Sequence, residues 1–232
     1  MKSSVADSSK PGSVDKFQPE IFRHEASIPV GGHIKRCLDL VIAVTALILL
    51  APVIIIVSLS VLVTMGQPVI YCHKRTGFAG KAFDCYKFRT MVTNGDEVLE
   101  KHFAEVPEAA EEWRLTRKLR NDPRVTRLGY LLRKTSIDEL PQLVNVLKGD
   151  MSCVGPRPVT HDELRYYGGE AKQYLKARPG ISGPWQVAGR SNLGYDKRVL
   201  LDSDYVQNWT LLRDFQILIK TVPAVIRVGG TS

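Results

Sequence analysis

From Leu38 to Met65 the chain is apolar almost without interruption, and Asp39 is the only charge in the run. Crossing a bilayer takes about 20 apolar residues in a helix, so the run predicts a membrane-embedded helix. It is too long and begins too late to read as a cleaved signal peptide. Pro52 sits mid-run, where it removes a backbone donor and crowds the preceding turn. Lys35 and Arg36 precede the run and Lys74 and Arg75 follow it, whereas a spanning helix usually carries its basic excess on one side. Two arrangements answer to this pattern: a kinked helix that spans, or one that enters, bends at Ala51-Pro52 and returns to the same face. Residues 1–30, rich in Ser, Pro, Lys and Asp without hydrophobic periodicity, read as a flexible tail. Residues 31–66 form the membrane segment, and 67–232 a polar domain.

Within that domain, Val69-Ile70-Tyr71 and Ala82-Phe83-Asp84-Cys85-Tyr86 bracket a turn at Gly77–Gly80, which predicts a β-hairpin. A long helical stretch starts at Asn94-Gly95-Asp96 and runs to Arg120, with a break expected at Pro107. A helix is expected from Ile137 to Lys148, closed by Gly149. Val154 to Gly194 is dense in Gly and Pro and is expected to be irregular and functional. Tyr205 to Val228 alternates between helical and extended character, and no internal repeat is found.

The net charge of +8 points to an anionic partner. Beside an apolar helix, that favours an acidic membrane surface or a phosphorylated substrate over nucleic acid. The basic residues are scattered and no nucleic-acid-binding motif is present. Cys37, Cys72, Cys85 and Cys153 have neither CxxC nor zinc-ligand spacing, which suits a reduced compartment.

Several short segments could carry chemistry. Ser136-Ile137-Asp138-Glu139 fits the S-x-x-E pattern of a capping box. In that geometry Asp138 enters the first helical turn, where the dipole favours its carboxylate. An ionised carboxylate is the form that attacks phosphorus. Glu139 could hold a metal ion or handle a proton, and Arg133 lies just upstream. Arg157, between Pro156 and Pro158, is a stiffly held guanidinium suited to bidentate phosphate recognition. Tyr86-Lys87-Phe88-Arg89 interleaves cations with bulky residues at a strand end, and glycines in Arg178–Gly183 permit close approach to a ligand. Neither GxxxxGK[ST] nor GxGxxG occurs.

KFRTM, SIDELPQ, NVLKGDMSCVGPRP and RPGISG, in this order behind a Pro-broken apolar segment, resemble the monotopic phosphoglycosyl transferases, also called bacterial sugar transferases. The resemblance covers about residues 33–228 and is strongest to the small enzymes that begin exopolysaccharide synthesis, galactose 1-phosphate transferase among them. It implies an α+β fold: a small membrane-associated catalytic domain of β-hairpin and helices, behind an N-terminal Pro-broken re-entrant helix. It implies Asp138 as nucleophile and Glu139 as partner carboxylate and metal ligand. Lys87, Arg133, Arg157 and Asp202 would serve the substrate phosphates or nucleotide, with magnesium as cofactor. The implied reaction moves a hexose 1-phosphate, galactose slightly favoured over glucose, from a UDP-sugar to polyprenyl (undecaprenyl) phosphate through a covalent aspartyl phospho-sugar. UMP leaves, and the site faces the cytoplasm at the bacterial inner membrane. Expected partners are the UDP-sugar, polyprenyl phosphate and membrane lipid, with self-association left open. The alternatives are a nucleotide-sugar hydrolase and a membrane-bound scaffold of polysaccharide assembly. Two departures from many relatives are Ala51 before Pro52, in place of serine, and Pro184 before Trp185-Gln186; the second leaves the sugar open.

Overall fold

The computed structural model describes residues 28–116, 119–189 and 194–226. Most of the expected N-terminal tail lies outside these residues. The tail's last residues are tied down, since the Val30 N–H donates to Lys176 O at 3.0 Å.

Helix α1 (Gly32–Met65) runs for 34 residues with Pro52 inside it. Ser58, Ser60 and Thr64 return their hydroxyls to the carbonyls four residues back, so they expose no unpaired donor on an apolar surface. Both ends of α1 grip the polar domain. At the N-terminal end, Lys35 forms a buried ion pair with Asp214. Asp39 Oδ1 accepts from Ser152 Oγ and from the Cys153 N–H, both at 2.9 Å. Ala43, fully buried, packs into a core with Phe83, Cys85, Leu143, Val146, Met151 and Cys153. At the C-terminal end, Val57 and Val61 pack against Phe88 and Leu132. There the Arg89 guanidinium donates to the carbonyls of Met65, Gly66 and Gln67, which a helix terminus leaves without partners. Between the two grips, Ile48, Leu49, Ile55 and Ile56 are 58–71% exposed.

The hairpin forms as expected. Strand β1 (Ile70–Thr76) pairs antiparallel with β2 (Ala82–Phe88), from Ile70 opposite Phe88 to Thr76 opposite Ala82. Directly opposed residues share a face, so Tyr71, His73 and Arg75 lie beside Lys87, Cys85 and Phe83. Helices α2 (Gly95–Glu105) and α3 (Pro107–Thr116) break at Pro107 as anticipated. Helix α4 (Arg127–Lys134) is capped by Thr126, whose hydroxyl accepts from the Gly129 N–H.

Three expectations are corrected. The helix over Ile137–Lys148 is two pieces, a 3-10 turn at Ile137–Glu139 and helix α5 (Gln142–Lys148). Pro141 has no N–H to continue an α ladder, and the tighter Leu140 N–H to Ile137 O bond, 3.1 Å, takes its place. The segment from Val154 to Gly194 is not irregular over its described residues, 154–189. It holds helices α6 (His161–Leu164), α7 (Ala171–Tyr174) and α8 (Pro184–Ala188), and strand β4 (Gly180–Ser182) pairs parallel with β3 (Ser152–Val154). The C-terminal part is helical on both sides of a short link at 208–210, as α9 (Tyr195–Gln207) and α10 (Leu211–Ile226). The β-branched residues Ile217, Ile219, Thr221 and Val222 lower its propensity. Burial of Asp214 and Ile217 on one face outweighs that.

Candidate active site

Asp138 sits in the 3-10 turn directly after Ser136, which adopts φ 57°. The Ser136 side chain makes no cap bond, so the expected capping box does not form. No helix dipole lowers this carboxyl. Burial, the largest influence, pushes it up to about 6, and Glu139 adds to the rise. Lys87, Arg133 and Arg157 oppose it. Asp138 is 7% exposed, and with Lys87, Arg133 and Arg157 favouring its charged form it remains mostly ionised at neutral pH.

Each cation arrives from a different element. Lys87 is near the end of β2 and forms an ion pair with Glu139 Oε1 at 2.5 Å. Arg133 lies in the last turn of α4, and its Nε donates to Thr90 Oγ1 at 2.9 Å. Gly129, one turn earlier, lets α4 approach: a Cβ there would lie 2.0 Å from Thr90 O. Arg157 sits between its two prolines with its guanidinium 5.6 Å from the Trp185 ring centroid, and Arg198 lies 4.7 Å from the same centroid. The indole thus holds Arg157 by a cation–π contact.

Asp202, on α9, is 1% exposed and lies near Arg157. The Tyr167 hydroxyl donates to its Oδ2 at 2.9 Å. Burial pushes this carboxyl up to about 8, with the Tyr167 hydroxyl and Arg157 offsetting part of the rise. In this conformation it supports the Arg157 loop from within the fold.

A cleft opens beside these residues, lined by Arg75, Lys87, Glu139, Gln142, Arg157 and Gln186 among others. Of these, Lys87, Glu139 and Arg157 are site candidates by motif, Gln142 and Gln186 lie within motif segments without an assigned role, and Arg75 lies outside the motifs. Arg75 could have been found from the hairpin register, which puts it on the face that carries Lys87. Its guanidinium pairs with Glu163 at 2.8 Å and meets His73 Nδ1 at 3.0 Å. Gln142 closes the SIDELPQ motif and Gln186 follows Pro184-Trp185, but their place in the cleft depends on how α5 and α8 close over the hairpin.

Among the described residues, no three His, Cys, Asp or Glu side chains converge as a metal cage. Magnesium is commonly held by one or two carboxylates together with substrate phosphates. Asp138 and Glu139, consecutive carboxylates of one 3-10 turn with Glu139 lining the cleft, supply that number of carboxylates.

The family model described as bacterial sugar transferase matches residues 30–228. The exopolysaccharide production protein ExoY of Rhizobium meliloti (strain 1021) is 49% identical over 231 residues, covering 100% of both chains. The undecaprenyl-phosphate galactose phosphotransferase of Salmonella typhimurium is 51% identical over 197 residues, which is 85% of this chain and 41% of that protein. The UDP-glucose:undecaprenyl-phosphate glucose-1-phosphate transferase of Caulobacter vibrioides is 38% identical over 203 residues, 83% of this chain and 69% of the other.

Proposed function

The chain belongs to the bacterial sugar transferase family, and we propose that it moves a hexose 1-phosphate from a UDP-sugar to undecaprenyl phosphate in exopolysaccharide synthesis. It is a phosphoglycosyl transferase working at a lipid carrier. The observation that carries this reading is one buried carboxylate, Asp138, surrounded by Lys87, Arg133 and Arg157 beside a cation-lined cleft.

In the first step a carboxylate oxygen of Asp138 bonds to the β-phosphorus of the UDP-sugar. The bond from that phosphorus to the bridging oxygen breaks, and UMP leaves with the electron pair. In the second step an oxygen of undecaprenyl phosphate attacks the same phosphorus, and Asp138 departs as carboxylate. The lipid diphosphate sugar is the product. Phosphoryl transfer depends mainly on positioning and charge stabilisation, which Lys87 and the rigidly held Arg157 supply. Bound magnesium, held by Glu139 with Asp138 alongside, would neutralise charge on the diphosphate. The sugar is galactose, in keeping with the activity named for the Salmonella relative.

The helix α1 is re-entrant in this proposal. The two ends of a spanning helix emerge on opposite faces, where one compact domain reaches only one of them. Here Lys35 binds Asp214 and the Met65 carbonyl binds Arg89, so one domain holds both ends. Helix α10 supports the same seating: Leu212, Phe215, Ile219 and Val222 are exposed at spacings that share one helical face, as in a helix lying at a membrane interface. The cleft then meets UDP-sugar on the cytoplasmic side, level with the lipid phosphate.

The test is purified protein with a panel of UDP-sugars and undecaprenyl phosphate, measuring UMP release. With the donor and no lipid, mass spectrometry should find a phospho-sugar adduct on Asp138. UMP release that proceeds equally without lipid acceptor would identify a hydrolase instead.

A further inference from the structure

Gln186 lies on α8 and lines the cleft beside Arg157 and Lys87. Its Nε2 points to Ile181 O at 3.5 Å, which orients the amide. Among the described residues, its Oε1 is buried and has no hydrogen-bond partner. Buried polar atoms without partners are uncommon and call for an explanation. The amide fits because residue 183 is glycine: a Cβ there would stand 2.6 Å from Oε1 and 2.2 Å from Gly155 O.

We propose that Gln186 is a specificity-determining residue that accepts a hydrogen bond from a hydroxyl of the nucleotide-sugar donor. The inference rests on the UDP-sugar reading above and adds a residue to it. The guanidinium and ammonium groups of Arg75, Lys87 and Arg157 donate, so they satisfy phosphate oxygens. Those oxygens, like Oε1, only accept, so a diphosphate held by the three cations leaves Gln186 unmatched. A donor attached next to a phosphate would match it. On a UDP-sugar those donors are the hydroxyls of the hexose, on the β-phosphate side, or of the ribose, on the α-phosphate side. Polyprenyl phosphate carries no hydroxyl on its chain. Gln186 therefore acts on donor binding and leaves acceptor binding unchanged. A site that presents a buried polar group to one hydroxyl discriminates against donors lacking it, because the group is then left unpaired.

The test uses the full chain with UDP-galactose and undecaprenyl phosphate, following UMP release. Gln186→Leu should raise the KM for UDP-galactose about tenfold, the effect of one neutral hydrogen bond, with the KM for the lipid unchanged. The series then continues with UDP-galactose deoxygenated singly at each sugar position and with its 2′-deoxy- and 3′-deoxyuridine counterparts. One of these donors should raise the wild-type KM by a similar factor and cost the leucine variant nothing more. A sugar-deoxy donor in that role assigns the bond to the hexose, and a deoxyuridine donor assigns it to the ribose. If the leucine variant melts below the wild type, Gln186→Met takes its place in the cycle. The inference is overturned if donor KM is unchanged in the variant, if both KM values rise together, or if no deoxygenated donor weakens the wild type. Absence of UMP release by the wild type from every UDP-sugar would instead sink the transferase reading. Calorimetric titration of UDP-galactose into wild type and variant would then still decide whether Gln186 contributes to donor binding.

Discussion

Asp138 links burial to pH at the scale of one side chain. Its carboxyl is raised from 3.8 to about 6, so transfer should decline as pH falls through about 6 and the nucleophile takes up a proton. The stability consequence has the opposite sense. A carboxyl raised by folding imposes no penalty below its unfolded value, and the penalty grows until it is complete above about 6. The difference between 3.8 and about 6 corresponds to up to about 3 kcal/mol at neutral pH. Asp138→Asn should therefore abolish transfer and raise the melting temperature at pH 7.5, with the gain disappearing near pH 4. A carboxylate supported by a helix dipole would give a small loss of stability instead, so calorimetric scans at the two pH values separate the two. Arg157 yields a second expectation. Arg157→Lys keeps the charge but loses the planar fork that sits over Trp185. It should lower kcat/KM for UMP release at least tenfold, on the order of one charge-assisted hydrogen bond. Wild-type kinetics in the lysine variant would reduce Arg157 to a loop residue.

Among the elements, α4 is the one whose position depends most visibly on a missing side chain. Gly129 brings the helix against Thr90, and the same approach lets Arg133, one turn on, reach Thr90 Oγ1. Gly129→Ala removes the space while favouring helix in isolation by about 1 kcal/mol. Overpacking against backbone should prevail, with a net destabilisation of about 1–3 kcal/mol and loss of activity as Arg133 moves away. Denaturant titration measures the first and UMP release the second. An unchanged or higher midpoint would show that α4 can shift without cost. The hairpin's register has the same kind of consequence: a slip of one residue would turn Arg75 and Lys87 to the other face.

For the whole molecule, the expectation concerns how one domain holds both ends of a membrane helix. Single cysteines before Lys35 and after Gln67, in a background without native thiols, should both resist an impermeant reagent in intact cells and react once the cells are opened. Labelling of the N-terminal site alone in intact cells would mean that α1 spans. Pro52→Ala should let some molecules straighten and expose that site. Much of this molecule follows from local sequence. The apolar run, the hairpin and the break at Pro107 rest on periodicity, on turn residues and on proline's missing donor, all readable without neighbours. Lys87, Asp138, Glu139 and Arg157 were likewise distinguishable as candidates by residue type and motif. Other features required the tertiary structure. Burial reversed the expected influence on Asp138, because desolvation depends on what packs around a carboxyl and not on what adjoins it in sequence. Asp202 came to rest inside the fold for the same reason. The docking of α1 depends on Lys35 meeting Asp214, 179 positions away, and the cleft draws Arg75, Glu139 and Gln186 from separate elements. Contacts between such distant positions have no periodicity to reveal them; they are set by how the elements close over one another.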